Sequence, residues 1–104
     1  MMEVRWSIEA RRALDNTADY IAETFGMRTR NKFKRDVQKV NNLLKGNPHL
    51  GAIEPLLVHH ASTYRSIVVN HLNKIIYRIE GNHIEVADFW DVRREPKTLA
   101  NQVK

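Results

Sequence analysis

Val4 and Trp6 alternate with Glu3, Arg5 and Ser7, a period of two that predicts a short first strand. Ser7 is a good N-cap residue, and Glu9 suits the positive end of the helix that follows. Ala10, Leu14, Thr17/Ala18, Ile21 and Phe25 then recur at helical spacing, predicting one buried stripe that ends at Gly26. A second helix is expected from about Arg28 to Lys45, with Phe33, Val37, Val40 and Leu44 as its apolar stripe. Gly46-Asn47-Pro48 stops it, because proline has no amide hydrogen and disfavours helical geometry in the residue before it. The short link around Gly26 makes the two helices an antiparallel hairpin.

Residues 47–62, punctuated by Pro48, Gly51 and Pro55, read as a loop. Beyond them the period returns to two. Tyr64 to Asn70 is rich in β-branched residues, and His71-Leu72-Asn73 forms a turn region. From Lys74 to Glu80, Ile75, Tyr77 and Ile79 share one face, and Lys74, Ile76 and Arg78 share the other. Gly81-Asn82 suits a two-residue hairpin turn into a last strand, His83 to Asp91. That turn sets Ile79 opposite Ile84, Tyr77 opposite Val86 and Arg78 opposite Glu85. The predicted order is β-α-α-β-β-β: an α+β domain with a mostly antiparallel sheet, a helical hairpin on one face, and the other face free for a site.

A chain of 104 residues holds one core. The domain is expected over residues 1–96, with 97–104 as a C-terminal tail. With no cysteine, a disulfide scaffold, a thiol nucleophile and every cysteine-ligated metal site are excluded. No apolar run suits a membrane span and no signal peptide is apparent, so a cytoplasmic location and no membrane partner are expected. The five histidines lack metal-ligand spacing, so neither metal nor cofactor is expected.

The net charge of +5 points to an anionic partner, and its placement sharpens that reading. The second helix carries seven basic residues against the single acid Asp36, a net of +6, so the rest of the chain is at −1. Arg28, Lys32, Arg35 and Lys39, at about 100° per residue, form a ridge within roughly 60° of one another, opposite the apolar stripe. Such a ridge suits phosphates or an acidic protein, and it also suits an ordinary solvated helix face. A smaller basic set comprises Arg65, Lys74, Arg78 and Arg93-Arg94. Adjacent strands are expected to bring Arg65, Lys74 and a terminal arginine together, where they would cradle a phosphate. Against this, Arg78 has a ready partner in Glu85, and the terminal arginines have Asp88, Asp91 and Glu95.

The order of motifs as a whole is familiar: Trp6, then Ala10, Leu14, Tyr20-Ile21 and Phe25-Gly26, then Phe33, Leu44 and Asn47-Pro48, then Tyr64-Arg65-Ser66, Lys74 to Ile79, Ile84-Glu85-Val86 and Trp90 to Pro96. Over residues 3–96 the chain resembles the RelE/ParE superfamily of toxins from bacterial type II toxin–antitoxin systems. The resemblance implies the β-α-α-β-β-β fold and a cognate antitoxin, usually an extended acidic segment, in a toxin–antitoxin hetero-oligomer. The basic ridge would suit that antitoxin.

Two branches of the superfamily imply different activities. In a RelE-like, ribosome-dependent mRNA endoribonuclease, Arg65, Lys74 and Arg94 would be the catalytic residues. Lys74 would then stabilise charge and Arg94 would hold the scissile phosphate. The chain departs from that pattern, since Ile67 falls where the first strand carries a second basic residue. No tyrosine or histidine follows Arg94 to act as acid or base, and lysine and arginine are poor proton donors near neutral pH. A ParE-like toxin needs no catalytic set, because it poisons DNA gyrase by a protein contact. The departures favour that branch. A degenerate relative that serves only as a binding module is the third reading.

Overall fold

Ser7 ends the first strand and starts the first helix: its Oγ accepts from the Ala10 amide at 3.0 Å and donates to the Ala87 carbonyl at 3.0 Å. The computed structural model describes residues 1–92. In chain order it contains β1 (Glu3–Trp6), α1 (Ile8–Phe25), α2 (Met27–Gly46), β2 (Ala52–Ile53), a 3-10 turn (Pro55–Leu57), β3 (Arg65–Val69), β4 (Asn73–Glu80) and β5 (His83–Asp91). The α+β fold and its predicted order are as expected from the sequence. Additional to the reading are β2 and the 3-10 turn, both inside the segment expected to be a plain loop.

The sheet order is β1-β5-β4-β3-β2, with β1 parallel to β5 and every other pairing antiparallel. Across the β4–β5 hairpin, Ile79 pairs with Ile84, Tyr77 with Val86 and Arg78 with Glu85, the expected register. Gly81 sits at φ 58°, the left-handed conformation that a two-residue hairpin turn demands. The register then jumps: Ile76 pairs with Asp88, leaving Ala87 as the extra residue of a β-bulge. The bulge rephases β5. Strict alternation from Ile84 and Val86 would turn Asp88 and Trp90 toward the helices. Instead Phe89 joins Ile84 and Val86 on the helix side, while Asp88 and Trp90 fall on the other.

The main core lies between the sheet and the helical hairpin. Ala10, Leu14 and Ala18 of α1 and Phe33, Val37 and Leu44 of α2 pack on Val69, Ile75, Tyr77, Ile84, Val86 and Phe89. The Phe89 ring meets Phe33 edge-on at 5.9 Å and Trp6 at 6.0 Å. Phe25 departs from the predicted stripe and is 64% exposed. Its spacing is correct for the buried face, but the last buried residue of α1 is Ala18 and the last one packed against the core is Ile21, one turn short of Phe25. The hairpin turns at the single residue Gly26, whose φ of 97° is a conformation that L side chains rarely adopt.

The face away from the helices is partly covered, correcting the expectation that it is free. Leu57 from the 3-10 turn and Tyr64 pack there on Ile76 and Trp90 and form a second, smaller core. The segment that carries them is tied down at Tyr77. The Tyr77 hydroxyl donates to the Pro48 carbonyl and accepts from the Gly51 amide, each at 2.8 Å. Gly51 allows this close approach, since a Cβ there would sit 2.6 Å from the Ser66 carbonyl oxygen and 2.9 Å from the Tyr77 ring.

Candidate functional site

Parity along the strands decides which basic residues meet. Arg65 pairs with Tyr77, Ile67 with Ile75 and Val69 with Asn73, so these side chains share the helix side of the sheet. Ser66 and Val68 pair with Ile76 and Lys74 and share the other side. Arg65 and Lys74 therefore emerge on opposite faces, and the expected cluster of the two does not form. The connection between β3 and β4 sets this parity. It places Asn70 at φ 51° and His71 at φ 70°, left-handed positions that asparagine and histidine tolerate better than most residues.

Each cation is also engaged. The Arg65 guanidinium donates to the Gly51 carbonyl at 2.8 Å. The Lys74 ammonium is bound by both carboxylate oxygens of Glu54, through Oε1 and, at 2.9 Å, Oε2. Ser66 Oγ donates to the same Oε2 at 2.9 Å. Glu54 is 1% exposed, so the carboxylate is closed off beneath the 3-10 turn. A buried carboxylate is stable only when paired and hydrogen-bonded, and Lys74 and Ser66 supply both conditions. Sequence reading missed Glu54. The one signal was an acid preceding Pro55-Leu56-Leu57, which is indistinguishable from any loop glutamate until the chain path is known.

Arg78 follows its predicted pairing with Glu85 at 3.8 Å and adds a closer contact to Glu80 at 2.7 Å. Beside it opens a cleft of about 360 Å³, lined by His49, Ser62, Thr63, Arg65, Arg78 and Ile79. Two guanidiniums thus border one cleft, and the Glu80 and Glu85 carboxylates against Arg78 balance their two charges, while Arg65 is also held by the neutral Gly51 carbonyl. The cleft has little uncompensated positive charge for a phosphate. Burial raises Tyr77 above the ordinary phenol range, opposed by the Gly51 amide bond and the Arg65 charge, and burial raises Tyr64 as well. Arg93 and Arg94 lie outside the described residues. Among the described residues no group of histidines and acids could hold a metal ion. No helix among them is long and apolar enough to cross a membrane.

The basic ridge forms on the solvent face of α2. Arg28, Lys32, Arg35 and Lys39 are all exposed, opposite the buried Phe33, Val37 and Leu44. Lys32 pairs with Asp36 at 3.0 Å, one helical turn on. The other three have no ion pair among the described residues.

Comparison with known proteins agrees with this architecture. A solved structure described as the chromosomal ParDE TA system from P. aeruginosa superposes with a TM-score of 0.73. It is 20% identical, over 89% of this chain and 98% of that one. The YoeB dimer from Staphylococcus aureus superposes at 0.56, also 20% identical, over 84% of this chain and 92% of that one. At such identities the likeness concerns the fold. No curated protein matches the sequence. Residues 4–96 match the family model described as ParE toxin of type II toxin-antitoxin system, parDE. With that match covering nearly all of the described residues, both helices and the Glu54–Lys74 pair included, the chain belongs to the ParE toxin family.

Proposed function

We propose that this toxin arrests growth by binding and poisoning DNA gyrase in the cytoplasm, without cleaving RNA, and that a cognate antitoxin neutralises it in a hetero-oligomer. The observation that carries the choice of branch is the state of Lys74. A residue that stabilises charge on a scissile phosphate must present a free ammonium, and this one is held by a buried carboxylate under the 3-10 turn. Arg65 faces the other side of the sheet, and Ile67 supplies no second cation beside it. A toxin that acts by protein contact loses nothing by this arrangement. The exposed ridge of Arg28, Lys32, Arg35 and Lys39 supports docking of an extended acidic antitoxin segment, whose carboxylates would meet a row of largely unpaired cations.

Pulse-labelling after induction without antitoxin tests the reading. DNA synthesis is expected to fail first, and purified toxin is expected to inhibit supercoiling by purified gyrase. Protein synthesis failing first, with mRNA cut at the ribosome and Arg94→Ala abolishing the cuts, would establish the ribonuclease reading instead. Induction that leaves growth untouched would remove both and leave a binding module.

A further inference from the structure

The tip of the helical hairpin overhangs the rest of the molecule. The last buried residue of α1 is Ala18 and the first of α2 is Phe33, so no side chain between them is fully buried. Ile21 is the last residue of α1 packed against the main core, and at 1.5 Å per residue the four that follow carry the helix roughly 6 Å beyond it. A solvated overhang would be expected to be polar. This one presents Tyr20, Phe25 and Met27 at 59%, 64% and 56% exposure. The Tyr20 and Phe25 rings are packed edge to face at 6.5 Å, so they hold each other in place as a ready-made apolar surface. Single exposed apolar residues are common on soluble proteins, but two exposed aromatic rings in mutual contact, with an exposed methionine two residues on, are not.

The charges around this surface say what covers it. Asp19 and Glu23 border it on the α1 side, Arg28 and Arg30 on the α2 side, and none of the four is in an ion pair among the described residues. The acids would be repelled by the uniformly negative surface of nucleic acid or of an anionic membrane, and equally by an acidic antitoxin segment. An apolar centre inside a rim of both signs is the anatomy of a contact between folded proteins, with tyrosine, methionine and arginine among the residues enriched there.

We propose that the hairpin tip is the surface by which this toxin grips its target: Tyr20, Phe25 and Met27 enter an apolar socket on a folded protein whose rim carries cations facing Asp19 and Glu23 and carboxylates facing Arg28 and Arg30. The inference rests on the target-binding reading above and names where that contact lies. The tip adjoins the α2 ridge, which is suited to the antitoxin, and Arg28 lies where the two surfaces meet.

The test is the Tyr20→Ala/Phe25→Ala double variant, with Phe25→Ala alone beside it. Neither ring is part of the core, so melting is expected to match the wild type. At least ten-fold more of the double variant should be needed to inhibit gyrase supercoiling, and its induction should no longer arrest growth. Equal potency of variant and wild type in both assays would overturn the inference. If wild type arrests growth but leaves gyrase untouched, the gyrase reading fails on its own. The tip is then judged by growth arrest, upheld if the variant loses it and overturned if the variant keeps it. A wild type inactive in both assays overturns the target-binding reading and the inference together. Sedimentation of the wild type as a dimer and the variant as a monomer would assign the tip to a second copy of this chain, and would overturn the inference too.

Discussion

On the helix side of the sheet, Ile75, Tyr77, Ile84, Val86 and Phe89 meet two helices in a continuous apolar layer. On the other side, among the described residues, a smaller cluster of Leu57, Tyr64, Ile76 and Trp90 forms, and beside it a glutamate and a lysine are sealed together. The first face is held by apolar area, which is non-directional and tolerant of small shifts. The second is held by a few directional contacts, in which losing one partner strands the other. The contrast explains why the two faces differ as places for chemistry. The helix side is full. On the other side, among the described residues, Lys74 is committed to Glu54 and Arg78 to Glu80 and Glu85.

Substitutions on the two faces should break in different ways. The largest effect is expected for Phe89→Ala, which removes a fully buried ring contacting Phe33 and Trp6. Urea unfolding should show a loss of about 4 kcal/mol from transfer and cavity terms together. Glu54→Ala should cost about 3 kcal/mol, because Lys74 is left desolvated without its carboxylate. The double variant Glu54→Leu/Lys74→Met should recover most of that loss. A double variant as unstable as Glu54→Ala would mean that shape, and not charge pairing, holds this face. Tyr77→Phe keeps the ring in the helix-side core but removes the hydroxyl that binds Pro48 and Gly51. It should cost about 1–2 kcal/mol and raise proteolysis within residues 47–62.

The smallest effect is a pH dependence. Burial raises the pKa of Tyr64 on one face and Tyr77 on the other, so the folded state keeps its phenol protons longer than the unfolded chain, which releases them near about pH 10. Their contribution to stability is therefore fully present below that pH and is lost as the pH rises through the folded values. Alkaline unfolding followed by tyrosine absorbance should show ionisation coupled to unfolding. Independent ionisation of both phenols in the intact fold would contradict their burial.

Much of this was legible because it is local. The β4–β5 register followed from alternation and Gly81-Asn82, and both helices followed from their periodicity and ends. What escaped depends on distance. Phe25 has the spacing of a core residue, and nothing in a periodic pattern says where the opposing sheet stops. The faces of Arg65 and Lys74 depend on parity through a three-residue connection with two left-handed positions, neither of them glycine. The bulge at Ala87 leaves no mark in composition, yet it decides that Phe89 joins the helix-side core and Trp90 the smaller one. Glu54 was invisible for a plainer reason: its partners lie 12 and 20 residues away.

The parallel pairing of β1 with β5 has a consequence for how the chain acquires its shape. Glu3 lies against His83 and Trp6 against Val86, so β1, made first during synthesis, waits for β5 before it has a strand partner. The hairpin helices wait too, because Ile84, Val86 and Phe89 supply much of the surface they pack against. Closing a loop of that length is a slow, entropically costly step, and no earlier strand replaces β5 in it. Ser7 completes the closure by binding the backbone of Val86 and Ala87 at the bulge. A ribosome-bound chain that has not yet released β5 is therefore an unfinished toxin. The cell is exposed to the folded hairpin tip only after translation has passed β5.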